Sequence, residues 1–350
     1  MKALNVIKKI LLIFVVLLAV SVISLLVIYR NQIATVSSIK QIDEYPIYMM
    51  DYKGTYWFND FMKTEGDRNF TEFFMSKLTY GVLKNNGATT ENSSAMCTCF
   101  VCENENGDIL YCRNLEQSHY LPSVVVTTHD GTYQTIGTSF IVDSPEDAPE
   151  LLLKINMLME PYFTADGMND AGLAISLLSV PYSTVPENEN TPLLSAEEVC
   201  RLVLNEAGTV EEAIELFNTF TLDSSMLSSL SACHFLIADR SGSMVVVELH
   251  DGKVDVVEPI HDNYMTVTNF YLNSEESSGT GQARYKYVEA ALEETGGVLS
   301  EQEALELLAS VKDPYIHPEW SCVYNLTTGK MYIMPNAQLD CVHEIDFNQD

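Results

Sequence analysis

The chain has 350 residues, 47% of them hydrophobic, which is enough for a sizeable core and excludes a disordered or fibrous protein. Its net charge of −30 is unevenly spread: residues 1–96 carry ten Lys or Arg against eight Asp or Glu, and residues 97–350 carry nine against forty-one. So acidic a surface excludes nucleic acid or anionic lipid as a general partner and reads foremost as a solvated shell.

In chain order, Lys2, Lys8 and Lys9 precede an uncharged run from Ile10 to Tyr29. As a helix this run spans about 30 Å, one bilayer core. It is longer than the apolar region of a cleaved signal and ends in Tyr29-Arg30-Asn31, which predicts an uncleaved single-pass anchor over residues 1–30. Secretion after signal cleavage is the alternative. The lysine flank stays in the cytoplasm under this reading, and everything after Arg30 lies outside. Residues 31–96 read as a leader or linker, aromatic at Tyr56-Trp57-Phe58, Phe70 and Phe73-Phe74, then polar from Lys84 to Ser94.

From residue 97 to 350 one domain is predicted. Short β-like runs flank turn signals: Thr98–Glu103 and Ile109–Asn114 around Asn106-Gly107, Val124–Thr128 and Tyr133–Thr138 around Asp130-Gly131, and Leu173–Leu178 after Asn169-Asp170-Ala171-Gly172. Later runs are His234–Ala238 and Met244–Leu249, Tyr264–Thr268, then Cys322–Leu326 and Met331–Met334. Capping boxes at Ser195 and Thr209 open amphipathic helices, and Gln282–Glu294 and Ser300–Val311 repeat the 3.6-residue pattern. Hairpins interleaved with helix pairs imply a layered, largely antiparallel α+β domain.

Four of the eight cysteines, Cys97, Cys99, Cys102 and Cys112, fall within sixteen residues. If Asn106-Gly107 is a two-residue turn, Cys97 faces Glu116 and Cys99 faces Asn114. Cys102 then points away from Cys97 and Cys99, and also away from Cys112, which disfavours both a four-cysteine metal site and disulfides within the hairpin. Packing accounts for Cys99, Cys102 and Cys112. Cys97 differs: a polar stretch precedes it, Thr98 follows it, and Arg113-Asn114 lies sixteen residues on.

Here the sequence resembles the cysteine N-terminal-nucleophile hydrolases of the choloylglycine hydrolase, penicillin V acylase and acid ceramidase group. Cys97-Thr98, Arg113-Asn114-Leu115-Glu116, Asp166-Gly167-Met168-Asn169-Asp170-Ala171-Gly172-Leu173, His234 through Gly242, Val267-Thr268-Asn269 and Ala283-Arg284-Tyr285 stand in the family's order. The resemblance implies a four-layer αββα sandwich and a chain cut at Met96-Cys97, so that Cys97 gains a free α-amine. That amine, with a pKa of about 8, takes the thiol proton. By the same resemblance Cys97 attacks an amide carbonyl, Asn269 helps hold the oxyanion, and Arg113 and Arg284 orient the site. Glu116 stands where the family has an aspartate that holds the α-amine, and Ser179 where it has an Asn or Tyr oxyanion partner. The two-residue hairpin turn puts Arg113 on the face away from Cys97, so its place in the site rests on the resemblance.

Each residue also has an ordinary reading: Asn169, Asp170, Gly172 and Asn269 as turn or strand-end residues, His234 as a satisfied core histidine, Arg113 and Arg284 as surface cations. No G-x-S-x-G occurs and the seven histidines show no metal-ligand spacing, so neither a serine triad nor a metal or cofactor is predicted. Asn69, Asn92 and Asn325 head glycosylation-type triplets. The expected function is a membrane-anchored, extracytoplasmic amidase acting on an N-acylated small molecule. An acyltransferase and an inactive binding protein on the same fold stay open, as does assembly into a homo-oligomer.

Overall fold

A computed structural model of the chain describes residues 2–64, 70–79, 95–117, 123–140, 149–188, 191–223, 232–273, 279–313 and 316–347. The helix Lys2–Ile28 contains a span, Asn5–Ile28, of mean hydropathy 3.3 with none of its apolar surface covered by the rest of the chain. It is long and apolar enough to cross a membrane.

Two sheets face each other. The larger has nine strands, in spatial order Lys40–Gln41, Ile47–Asp51, Ser123–Thr128, Thr135–Phe140, Asp166–Asn169, Leu173–Val180, Ala232–Asp239, Met244–His250 and Lys253–Val257. The smaller has six, in order Met265–Val267, Ala95–Glu103, Ile109–Gln117, His317–Asn325, Lys330–Pro335 and His343–Asp346. Between them lies a core to which Cys97, Cys99 and Tyr111 contribute from one sheet and Ile136, Ala174, Leu236 and Val246 from the other. The helices Ala196–Glu206 and Val210–Leu216 cover the outer face of the larger sheet through Val199, Val203 and Ala213. Gln282–Thr295 and Glu301–Ser310 cover that of the smaller through Val288, Leu292, Leu305 and Leu308. The layers therefore run helix, sheet, sheet, helix, and the central strands are apolar on both faces because each has a layer on either side, as Ala232–Asp239 is buried throughout. Ser195 and Ser300 form complete capping boxes, which is why those helices start where the sequence predicts.

Two expectations are corrected. The hairpin loop holds three residues, not two. Asn104 accepts from the Gly107 amide and donates its own to Asp108, while its Oδ1 takes the Asn106 and Asp108 amides at 2.9 and 3.0 Å. Gly107, at φ 79°, closes a type I turn followed by a left-handed residue, an arrangement that adds one residue to the loop. Every pair shifts by one: Cys97 lies opposite Leu115, Cys99 opposite Arg113, and Met96 opposite Glu116. A one-residue shift turns a strand over. Arg113 thus joins the face of Cys97 and Cys99, while Cys102 and Cys112 share the other, under the helices.

The second correction concerns residues 31–96. Where described, this segment is built into the domain. Ile47–Asp51 runs parallel to Ser123–Thr128 at the end of the larger sheet, an exception to its otherwise antiparallel order. Ile39, Ile47, Met50, Tyr52, Tyr56, Phe58, Phe61 and Phe74 are all buried. Each such side chain contributes about 1.5–3 kcal/mol by leaving water. The polar stretch Lys84–Ser94 lies outside the described residues, as do Asn69 and Asn92. Asn325 is buried, donating to Asp108 and Glu301, so it is a structural residue and not an exposed glycan acceptor.

Candidate active site

Cys97 is the third residue of its strand and wholly buried. The peptide N–H of Cys97 donates to Asn269 Oδ1 at 2.8 Å, and its carbonyl accepts from Arg284 Nη1 at 2.8 Å. Its sulfur lies 3.6 Å from Arg113 Nη2. Burial pushes the thiol above its ordinary pKa; the Arg113 and Arg284 charges pull it down, Glu116 pushes it up, and the Ser179 backbone pulls it down. Burial prevails, which makes Cys97 a protonated, covered thiol.

Arg113 is wholly buried beneath this sulfur. Its Nη1 donates to the Leu177 carbonyl at 2.7 Å and lies 3.5 Å from the Cys99 sulfur. Its Nε faces Asp166 Oδ2 at 2.8 Å, and both partners are sealed from solvent. Asp166 also accepts from Trp320 Nε1 at 3.0 Å and from the Tyr324 hydroxyl at 2.5 Å. It is thus the anchor that aims the guanidinium, a role its place in a turn-like motif did not disclose.

Arg284 sits at the first turn of its helix. Besides the Cys97 carbonyl it reaches Thr98 Oγ1 at 2.7 Å, Glu116 Oε2 at 3.2 Å and Asn269 Oδ1 at 2.9 Å. Gly281, at φ 90°, precedes it, and a Cβ there would stand 2.8 Å from Thr268 Oγ1 and 3.0 Å from Arg284 Nη2. Only glycine permits this close approach. Glu116, opposite Met96 and not Cys97, accepts from Arg284 and from the Asp313 amide at 2.7 Å. Burial lifts its pKa to about 7 against the pull of Arg284. Asn269 donates its Nδ2 to the Ser179 carbonyl at 2.8 Å. Ser179 therefore meets the site through its backbone carbonyl, where the sequence suggested its hydroxyl.

Sequence reasoning also missed the support beneath Asn269. His234 Nε2 donates to the Thr268 carbonyl at 2.8 Å and its Nδ1 lies 3.4 Å from Glu248 Oε1. Glu248 in turn accepts the Leu272 and Asn273 amides at 2.7 and 3.2 Å. The pair, cross-strand neighbours in the larger sheet, thus grips the backbone on either side of Asn269. A cleft of about 370 Å³ opens beside Met96, lined by residues 279–284, Lys312 and Asp313. Among the described residues no group of three His, Cys, Asp or Glu side chains is arranged to hold a metal ion.

Residues 97–272, just over half of the chain, match the model of a family described as linear amide C-N hydrolases, choloylglycine hydrolase family. A penicillin V acylase from Pectobacterium atrosepticum is 33% identical over 116 residues, 30% of this chain and 30% of that protein, so the match spans under a third of this relative's length. Among solved structures, a mutant conjugated bile acid hydrolase from Clostridium perfringens superposes with a TM-score of 0.55 at 17% identity, over 73% of this chain and 93% of that one. A penicillin V acylase from Agrobacterium tumefaciens does so with a TM-score of 0.50 at 19% identity, over 72% and 87%. At these identities the likeness is one of fold.

Proposed function

Because the chain belongs to the choloylglycine hydrolase family of linear amide C-N hydrolases, we propose that it is an amidase for N-acylated small molecules whose nucleophile is Cys97 after cleavage at Met96-Cys97. The observation that carries this reading is the convergence of Arg113, Asn269 and Arg284 on one cysteine. Three residues distant in sequence reach its sulfur, its nitrogen and its carbonyl oxygen respectively.

Cleavage turns the Cys97 nitrogen from an amide into an amine with a pKa of about 8. That amine accepts the thiol proton, and the Arg113 charge stabilises the thiolate. The sulfur bonds to the substrate carbonyl carbon and the negative charge passes to oxygen. Asn269 Nδ2 then serves that oxygen, exchanging the Ser179 carbonyl for it. Collapse breaks the carbon-nitrogen bond as the α-ammonium protonates the departing amine. Water, deprotonated by the same amine, hydrolyses the thioester and releases the carboxylic acid. Glu116 holds Arg284, and Arg284 holds the first residues of the strand.

Intact-mass analysis tests the processing: a catalytic chain of 254 residues beginning at Cys97 is expected. Cys97→Ala should stay at full length and turn over no amide, and activity from an uncut chain would overturn the mechanism. Product analysis with an added amine distinguishes hydrolysis from acyl transfer. The apolar N-terminal helix and its lysines support a membrane location with the catalytic domain outside. Protease added to intact cells should digest that domain, and its full protection would reverse the topology.

A further inference from the structure

We infer that the leader remains docked after cleavage, so that the mature protein is a two-chain complex in which the catalytic chain is held to the anchor by noncovalent contacts alone. This rests on the processing proposed above. The contacts between the two parts are those of an interior. The strand Ile47–Asp51 pairs with Ser123–Thr128 over five residues and contributes an outer strand pair to the larger sheet together with Lys40–Gln41. Tyr162 of the catalytic part stands within a shell of leader rings, with Tyr56, Phe58, Phe61, Phe70 and Phe74 centred 5.5–6.2 Å from it.

Polar bonds fix the same interface. The Tyr162 hydroxyl donates to the Tyr56 carbonyl at 2.6 Å, the Tyr56 hydroxyl pairs with Asn205 at 2.9–3.0 Å, and the Tyr56 amide donates to Asp130 at 2.9 Å. Arg201, buried among threonine hydroxyls, stacks its guanidinium 5.7 Å from the Tyr56 ring. Loss of the leader would expose the apolar faces of the larger sheet at its Ser123–Thr128 edge and leave Tyr162 bare. A cut at Met96-Cys97 touches none of these contacts, because the bond lies in the smaller sheet. Only residues 95 and 96 lose their place in a strand.

The decisive experiment separates docking from self-cleavage. A recognition sequence for a specific protease is placed between Asn86 and Gly87 in full-length Cys97→Ala protein, which is immobilised in detergent through a tag at its C-terminus. After the cut, at least nine-tenths of the leader should stay on the resin in high-salt buffer and leave only in urea, as read by mass spectrometry of the eluate. Elution of the leader on cutting would overturn the inference. Wild-type protein run in parallel reports on the natural cut: a single uncut polypeptide there would sink the processing while the inserted site still decides the docking. Tyr162→Leu, which removes the centre of the ring shell, should release the leader at a lower urea concentration. An unchanged release point would assign the docking elsewhere.

Discussion

Asp166 holds the Arg113 guanidinium from a site that no water reaches, and its oxygens are occupied by Trp320 and Tyr324 as well. Removing one charge of a buried pair leaves the other uncompensated, a loss of about 3–5 kcal/mol. Asp166→Asn should therefore lower the unfolding free energy by that amount and weaken the thiolate-stabilising field at Cys97. Chemical unfolding and the pH dependence of thiol alkylation measure the two effects separately. Asp166 stands within a motif visible in the sequence, yet its partner lies 53 residues away in another sheet, so its function was not legible there. Cys97, Arg113, Asn269 and Arg284 were singled out in the sequence through the resemblance, and the fold brings the four together. Another buried carboxyl, Glu160, is hydrogen-bonded by the Ser139 hydroxyl, and burial raises its pKa to about 8. The native state thus holds a proton that the unfolded chain has released between about pH 4.5 and 8, so stability falls as pH rises through that window. Glu160→Gln should flatten the fall, by on the order of a few kcal/mol between its ends, in unfolding curves taken at pH 5 and pH 8.

The Cys97 hairpin shows what short-range signals can and cannot convey. Both strands and the Asn-Gly turn were visible, but the side chain of Asn104 decides the loop length, and loop length decides which face Arg113 occupies. Arg113 lies on the face of Cys97, which turn counting had excluded. The segment Thr268–Asn273 is set by a similar indirect hold, the grip of His234 and Glu248 on its backbone. His234→Leu removes the donor to the Thr268 carbonyl, whereas His234→Gln retains an N–H of suitable reach. A displacement of about 1 Å at a reacting group costs up to about a hundredfold in rate. Leu at this position should lower kcat by roughly ten- to a hundredfold with KM nearly unchanged, and Gln should recover much of the loss. Equal loss in both variants would show that the ring itself, and not the bond, matters. The strand Lys253–Val257, exposed along much of its length, and the short strands of the leader lacked alternation strong enough to read.

At the scale of the molecule, composition foretold an acidic domain, and the layers explain how it tolerates its charge. Among the described residues, buried charges such as Arg113 with Asp166 and Arg284 with Glu116 are paired, and most charged groups lie outside, where they repel one another. Between about 0.01 and 1 M salt the screening length falls from about 30 to about 3 Å. The melting temperature of the catalytic domain should therefore rise with either sodium or potassium chloride and stay level with an uncharged solute, as calorimetry would show. The αββα order was legible from hairpins and capping boxes read through the resemblance. The membership of Ile39, Ile47, Met50, Tyr52, Tyr56, Phe58, Phe61 and Phe74 in the core was not, since the partners that bury them come much later in the chain.

That separation governs the order of events during synthesis. Tyr56 leaves the ribosome before Asp130, Tyr162 and Asn205, which follow it by 74, 106 and 149 residues. At about 5–20 residues per second, its last partner arrives roughly 7–30 s later. For about the first half of that interval, until Ser123–Thr128 is made, the strand Ile47–Asp51 has no parallel neighbour, and the ring-rich segment waits longer for Tyr162. Long-range parallel pairing is slow to form and exposed to misassembly while it waits. Closure of the larger sheet thus waits on strands made long after the leader, and the nascent leader is a natural client for whatever chaperone meets the chain first.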